Sequence, residues 1–188
     1  MGVNSDTYTG PSFPLRDRLA RGVWNFVQAT AFRWSPRPLH GWRSFLLGLF
    51  GAKIGRGAHI YPGAVVWAPW NLEIGDEACC ADGVILYSQG QISIGPRAVV
   101  SQGAHICAGT HDFESEGFPL VVKPIKIGGE SWIASEAFVH PGVEIGEGAV
   151  VGARSVVVKS IPPWMVCAGN PCAVLKPRQW RPRDWHGT

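Results

Sequence analysis

An aliphatic side chain recurs at every sixth position through most of the chain after residue 53. Fourteen of the fifteen positions are Ile, Leu or Val: Ile54, Ile60, Val66, Ile74, Cys80, Leu86, Ile94, Val100, Ile106, Ile127, Ile133, Val139, Ile145, Val151 and Val157. A period of six fits neither an amphipathic helix, which repeats every ~3.6 residues, nor an alternating strand. It is typical of a solenoid in which each six-residue unit forms a short strand and a turn.

Ile-Gly pairs mark the start of successive coils of this solenoid. They begin at Ile54, Ile74, Ile94, Ile127 and Ile145, so their spacings are 20, 20, 33 and 18 residues. Three units make 18 residues, and the spacing therefore predicts a triangular prism with one short strand of each coil on each face. The longest interval exceeds one coil by 15 residues, which predicts a protruding loop at about residues 112–126. Stacked coils would share one continuous core.

Residues 13–51 have a different pattern, with apolar residues at three- and four-residue intervals that predict a helix. Two prolines in residues 35–38 end this helix, and a second apolar run over residues 42–50 closes at Gly51, a common helix C-cap. Neither helix has the roughly 20 apolar residues that span a bilayer. The predicted segments are an N-terminal helical hairpin (13–51), a β-solenoid (52–166) and a C-terminal tail (167–188).

The arginines and aromatic residues of the N-terminal hairpin have two interpretations. Exposed apolar patches usually meet protein, so this segment can pack against the solenoid or a neighbouring subunit. Six arginines alternate with Trp and Phe in it, as in helices that lie at a membrane surface. We favour packing and keep peripheral membrane contact as the alternative.

Charge and cysteine content restrict the partners and the compartment. The net charge of +3 is small, and the basic residues cluster at the two ends of the chain, which argues against nucleic acid. The five cysteines are odd in number and contain no CxxC spacing. The chain also opens without a secretory apolar segment, and we therefore expect reduced thiols in a cytoplasmic protein.

Several short motifs accompany the repeat, including Gly-Thr-His-Asp at 109–112 and others at 28–30, 32–36, 42–47, 49–55, 141–143, 151–155 and 169–171. Together with the six-residue units they resemble the colanic acid biosynthesis acetyltransferase family of the hexapeptide-repeat transferases, over about residues 20–176. This resemblance implies a mainly β fold, a left-handed parallel β-helix, and a homotrimer. It also implies transfer of acetyl from acetyl-CoA to a sugar hydroxyl, in exopolysaccharide or glycoconjugate biosynthesis.

His111 is the candidate catalytic residue. It occupies the outward-facing last position of its unit, and the predicted loop begins at the next residue. A neutral imidazole there can accept the proton of a hydroxyl that attacks a thioester, and the resemblance gives the histidine of Gly-Thr-His-Asp this role. The group that orients it stays open between Asp112, Glu114, Glu116, Asp82 and a backbone carbonyl.

The remaining candidate residues bind substrates. Asp82, on a corner one coil below, and Asp112 are candidates for the acceptor, with a solvated turn carboxylate as the alternative for Asp82. By resemblance, the segment 132–135 lines the pantetheine arm of acetyl-CoA, a backbone N–H there holds the oxyanion, and Lys159 meets a phosphate. The predicted cofactor residues are Trp132, Ala134, Ser135, Ala153 and Lys159. The acceptor itself stays open between a free sugar, a nucleotide sugar, a lipid-linked unit and a glycosylated metabolite.

Two other functions fit a β-prism. A metal hydratase of the γ-carbonic-anhydrase kind needs three histidines at one zinc, whereas His105 and His111 fall on different faces and no third histidine matches them. We therefore expect no metal. A non-catalytic assembly subunit needs neither the Gly-Thr-His-Asp corner nor a long loop. Homotrimer formation is further favoured by outward apolar residues on the faces: Val65, Ile85, Val99, Phe138 and Val150.

Overall fold

The computed structural model describes residues 10–180. Helix α1 (Leu15–Val27) continues into a π-helical turn (Gln28–Phe32), and helix α2 (His40–Leu49) follows. Prolines at 36 and 38 lie between the helices, where the missing N–H and the fixed φ of proline disfavour helix. Gly51 has a φ of +90° directly after α2, a conformation that glycine adopts without steric cost. In the part of the chain described, neither helix combines the length and the apolar character that crossing a membrane requires.

Short strands follow the helices in nearly unbroken succession. In chain order they are β1 (Lys53–Ile54), β2 (His59–Ile60), β3 (Val65–Val66), β4 (Leu72–Ile74), β5 (Cys79–Cys80), β6 (Ile85–Tyr87), β7 (Ile92–Ile94), β8 (Val99–Val100), β9 (His105–Cys107), β10 (Gly109–His111), β11 (Leu120–Val122), β12 (Ile125–Ile127), β13 (Trp132–Ile133), β14 (Phe138–Val139), β15 (Glu144–Ile145), β16 (Val150–Val151), β17 (Val156–Val157), β18 (Met165–Gly169) and β19 (Cys172–Pro177).

These strands form the three faces of a prism. The first face has the order β1-β4-β7-β12-β15, the second β2-β5-β8-β13-β16-β18-β19, and the third β3-β6-β9-β14-β17. Neighbouring strands within a face are parallel, apart from the antiparallel pair β18–β19. Each coil contributes one strand to every face, which confirms the solenoid that the six-residue period predicts.

The aliphatic positions of the repeat form the core. Fourteen of the fifteen are buried, and the fifteenth, Ile54 in the first coil, is half-buried. Full burial of one such side chain stabilises the fold by roughly 1.5–3 kcal/mol. The longer coils bury one additional aliphatic side chain each. These are Leu72, Ile92 and Ile125, which are stacked as a column along the first face, with Leu72 paired to Ile92 and Ile92 to Ile125.

The N-terminal helices cover one end of the prism. The Trp24 indole N–H donates to the Val66 carbonyl, and the Val66 N–H donates to the Gln28 side-chain carbonyl, each over 2.7 Å. The fully buried Arg43 donates through Nε to the Ile60 carbonyl over 2.5 Å. Val66 and Ile60 lie on the edge strands β3 and β2, so the helices satisfy backbone groups that would otherwise end the sheets unpaired.

The protruding segment lies where the spacing predicts it and forms a hairpin. Residues 109–122 form an antiparallel hairpin in which His111 pairs with Leu120, and the connecting loop is 112–119. The chain returns to the prism at the fully buried Ile125, beside the predicted return near Lys126. Ile125 belongs to the column of Leu72 and Ile92, which lies outside the six-residue period.

The solenoid extends past residue 166, where the sequence places the start of the C-terminal tail. Cys167 is fully buried and pairs with Val151, so the solenoid extends through β18 and β19 folds back beside it. The next position of the repeat after Val157 is Pro163. Because this residue is not Ile, Leu or Val, the six-residue pattern does not indicate that the coil continues. Residues 181–188 of the predicted tail lie outside the described part of the chain.

Candidate functional site

His111 lies at the end of β10, where the hairpin leaves the prism, and its side chain is exposed. Its Nδ1 lies 2.6 Å from the backbone carbonyl oxygen of Phe118, across the hairpin. A carbonyl oxygen only accepts hydrogen bonds, so the proton is on Nδ1 and the lone pair on Nε2. The orienting group is therefore a backbone carbonyl rather than a carboxylate, and Nε2 can accept a proton.

Asp112 stabilises the turn beside His111. Its carboxylate accepts hydrogen bonds from the Ser115 hydroxyl over 2.6 Å and from the Glu114 N–H over 3.1 Å. These bonds hold the pKa of Asp112 below its ordinary value, chiefly through the Ser115 hydroxyl. The charged carboxylate thus shapes loop 112–119 next to His111.

His111 borders two clefts. One, of about 510 Å³, lies towards the later coils and is lined by Lys123, His140 and Val158 among others. The other, of about 410 Å³, lies towards helix α1 and includes Arg21. A side chain between two cavities can contact one molecule in each.

The four predicted cofactor residues of the segment 132–153 lie together, but away from His111. Trp132 on β13 has 47% of its surface exposed and donates its indole N–H to the Ser101 hydroxyl over 2.9 Å. Ala134 is buried, Ser135 is half-buried at the next corner, and Ala153 is exposed on that corner one coil later. This corner joins the second and third faces, whereas His111 follows the third face.

Lys159 and Asp82 occupy two further positions. Lys159 is exposed and follows Val158, which lines the cleft at His111. Asp82 lies on the corner between the second and third faces, where its carboxylate accepts from the Gly63 N–H over 2.9 Å and pairs with Arg37 over 3.1 Å. Within one chain, then, the structure brings His111 and Asp112 together and places Asp82 elsewhere.

The sequence reasoning missed the residues that line the second cleft. Trp67 and Tyr87 each follow a buried position of the third face, Val66 and Leu86, and so they form an outward column. The next member of this column, Cys107, directly precedes the hairpin. The six-residue period alone could have placed this column beside His111.

A larger cleft, of about 580 Å³, runs along the first face, away from His111. Its charged residues include Lys126 and Glu144, which pair with each other over 3.9 Å. It is lined by no histidine or cysteine. Within residues 10–180, no three His, Cys, Asp or Glu side chains are grouped to hold a metal ion.

Comparison with known proteins identifies relatives along most of the chain. It is 50% identical over 156 residues to the protein described as "Putative colanic acid biosynthesis acetyltransferase WcaF" of Escherichia coli (strain K12), covering 83% of this chain and 86% of the relative. No family model matches the chain.

Solved structures share the fold. A maltose O-acetyltransferase from Clostridium difficile 630 superposes with a TM-score of 0.81 at 24% identity, covering 89% of this chain and 90% of that protein. A galactoside acetyltransferase in complex with coenzyme A gives a TM-score of 0.80 at 24% identity, with 89% and 84% covered. The prism and its N-terminal helices thus match left-handed β-helix acetyltransferases along nearly their whole length.

Proposed function

Since this chain belongs to the colanic acid biosynthesis acetyltransferase family of hexapeptide-repeat enzymes, we propose that it transfers acetyl from acetyl-CoA to a sugar hydroxyl, with His111 as general base. The observation that carries this proposal is the 2.6 Å contact between His111 Nδ1 and the Phe118 carbonyl. It fixes the tautomer with Nε2 free and supports the positive charge that the ring acquires.

The proposed reaction balances with one base. His111 Nε2 takes the hydroxyl proton as the sugar oxygen attacks the thioester carbonyl carbon, and a C–O bond forms. The resulting oxyanion is held by a backbone N–H of segment 132–135. The intermediate then expels the thiolate of CoA, which takes the proton from the imidazolium, and the products are the sugar acetate ester and the free thiol.

Acetyl-CoA is the proposed co-substrate, supported by the coenzyme A complex of the structural neighbour. We place its pantetheine arm along Trp132, Ala134, Ser135 and Ala153, and a phosphate near Lys159. The four positions from Trp132 to Ala153 follow the second face of one chain, whereas His111 follows the third. A complete site therefore needs the hairpin of one copy beside the second face of another.

A homotrimer would supply this neighbour. Val65 on the third face and Val99 on the second are each 38% exposed, and their burial between copies would remove apolar surface from water. Light scattering on the purified protein tests this proposal, and a fully active monomer would overturn it.

The names of the relatives support the proposed acceptor class. The names of a colanic acid biosynthesis relative and of maltose and galactoside acetyltransferases support a sugar acceptor and a role in polysaccharide or glycoconjugate synthesis. We propose a cytoplasmic enzyme whose acceptor is a free, nucleotide-linked or lipid-linked glycan.

Peripheral membrane contact is supported by helix α1. Leu15, Leu19, Val23 and Phe26 form a stripe, 58–71% exposed, on the side opposite the buried Trp24. Arginines border this stripe, as in helices that bind anionic lipid surfaces. At low salt the wild-type protein should sediment with anionic vesicles, whereas the Phe26→Glu variant should stay in the supernatant. Equal sedimentation of both proteins would contradict the contact.

The function is tested by incubating the protein with acetyl-CoA and a panel of glycans. Thiol release that depends on an acceptor, together with acetylated product seen by mass spectrometry, is the expected result. A non-catalytic subunit would give neither signal, and a metal hydratase would hydrate CO₂ instead.

A further inference from the structure

The cleft between helix α1 and the third face contains positive charge without a balancing carboxylate. Its charged side chains are Arg18 and Arg21, and His111 borders it. None of the ten residues that line it is Asp or Glu. Four arginines elsewhere in the described chain pair with a carboxylate: Arg37 with Asp82, Arg56 with Asp76, Arg97 with Glu130 and Arg154 with Glu136.

Arg21 is held in a fixed position in this cleft. Its guanidinium carbon lies 3.8 Å from the ring centroid of Trp67, and the Phe13 ring packs on Trp67 at 4.9 Å. Stacking of this kind orients the planar guanidinium and leaves its N–H edge for a ligand. Its Nε is buried without a hydrogen-bond partner within the described residues.

The electrostatic environment of Arg21 is unfavourable without an anion. Burial lowers the pKa of Arg21, and burial also raises the pKa of the neighbouring Tyr87, so the tyrosine is neutral at ordinary pH and does not balance the charge. A partly desolvated cation without an anionic partner is costly in a folded protein. An anionic ligand would relieve that cost.

Gln89 provides a second unpartnered polar group in the same cleft. Only 9% of its surface is exposed, and its amide NH₂ donates to the Tyr87 hydroxyl over 2.9 Å. Its amide oxygen is buried and lacks a hydrogen-bond partner among the described residues. Buried carbonyl oxygens are normally satisfied, and the hydroxyl of a sugar is a donor of suitable size.

We propose that this cleft is the acceptor subsite and that it takes a sugar bearing an oxyanion, either a carboxylate or a phosphate. Arg21 binds the oxyanion through its N–H edge, Arg18 adds charge at the mouth, and Gln89 accepts from a sugar hydroxyl. The aromatic column of Trp67 and Tyr87 supports the ring face of the sugar. His111, on the border of the cleft, then meets the hydroxyl that is acetylated. This inference rests on the proposed acetyl transfer.

Matched pairs of acceptors test the charge requirement. Methyl glucuronide against methyl glucoside tests a carboxylate, and glucose 1-phosphate against glucose tests a phosphate. We expect kcat/KM for acetyl transfer to be roughly 10–100-fold higher for the anionic member of at least one pair. The pair that shows the preference identifies the source of the oxyanion.

Arg21→Gln removes the charge and keeps a planar amide. It should lower kcat/KM for the preferred anionic acceptor by roughly 10–100-fold, chiefly through KM, and change the neutral member less than about twofold. Arg33→Gln is the control, because Arg33 is an exposed arginine of the same segment outside this cleft. Equal loss for both members, or no charge preference in the wild type, would overturn the inference.

Binding separates this inference from the function on which it rests. Saturation-transfer NMR should detect the anionic sugar on the wild type and lose the signal in Arg21→Gln, whether or not acetyl is transferred. Anion binding without any acetyl transfer would contradict the proposed function and retain the subsite. Acetyl transfer with equal binding of charged and neutral sugars would support the proposed function and contradict the anionic subsite.

Discussion

The backbone carbonyl of Phe118 lies 2.6 Å from Nδ1 of His111, and Phe118 lies in the hairpin loop two residues before Leu120, the strand partner of His111. The contact depends only on the hairpin and needs no carboxylate, so local backbone geometry fixes the tautomer of the imidazole. Loop 112–119 therefore has two roles: it borders the site, and it orients the imidazole.

Trp24 tests how the helices hold the end of the prism. Trp24→Phe keeps an aromatic ring but loses the N–H that bonds the Val66 carbonyl, leaving a buried acceptor unpaired. We expect a loss of about 1–3 kcal/mol in the free energy of unfolding, measured by urea denaturation. Trp34→Phe is the matched control, because Trp34 is 81% exposed, and a change within about 0.5 kcal/mol is expected there. Similar losses in both variants would contradict the capping role.

His105 predicts a pH dependence of stability. It packs between Tyr87 and Phe138, its Nε2 is buried without a partner in the described structure, and burial lowers its pKa. The unfolded chain therefore binds a proton at higher pH than the folded one, so stability falls as the pH drops below about 6.5. The His105→Gln variant should lose less stability than the wild type between pH 7.5 and about pH 5.5.

The measurement is urea unfolding of both proteins at the two pH values. The comparison uses the pH-dependent change within each protein, because the substitution also alters packing. An equal decrease in both would show that His105 does not contribute. His105 is also a poor control for catalysis, since its side chain is packed; the exposed His59 is a better one.

A shared active site predicts complementation between two inactive variants. His111→Asn lacks the base, and Ala153→Trp places a bulky side chain where we propose the cofactor to lie. A site is intact only when the copy that supplies the hairpin has His111 and the neighbouring copy has Ala153. In an equal random mixture each condition holds in about half of the cases, so about a quarter of the sites are intact. Mixed trimers from co-expression should therefore recover about a quarter of the wild-type rate. Recovery no greater than the sum of the separate variants would contradict a site between subunits.

The repeat makes much of the fold predictable, because each aliphatic position is read from sequence alone. The repeat does not predict Ile125 and Cys167 as core residues, because they lie outside the six-residue period and are buried by stacking on neighbouring coils. The cleft at Arg21 could not be predicted for a similar reason. Trp67 lies 46 residues further along the chain, and only the packing of α1 on β3 brings the two together. Gly-Thr-His-Asp marked His111, but its orienting group is a backbone atom that no residue type encodes.

The most direct test of the account is the rate of acetyl transfer by His111→Asn. Asparagine keeps much of the size and some hydrogen bonding but cannot take the proton, so kcat should fall by roughly 10²–10⁴. Binding of acetyl-CoA should be nearly unchanged, and His59→Asn should stay active. The assay is acceptor-dependent thiol release with the acceptor that the wild type prefers. A rate near that of the wild type for His111→Asn would contradict the assignment of His111 as the base.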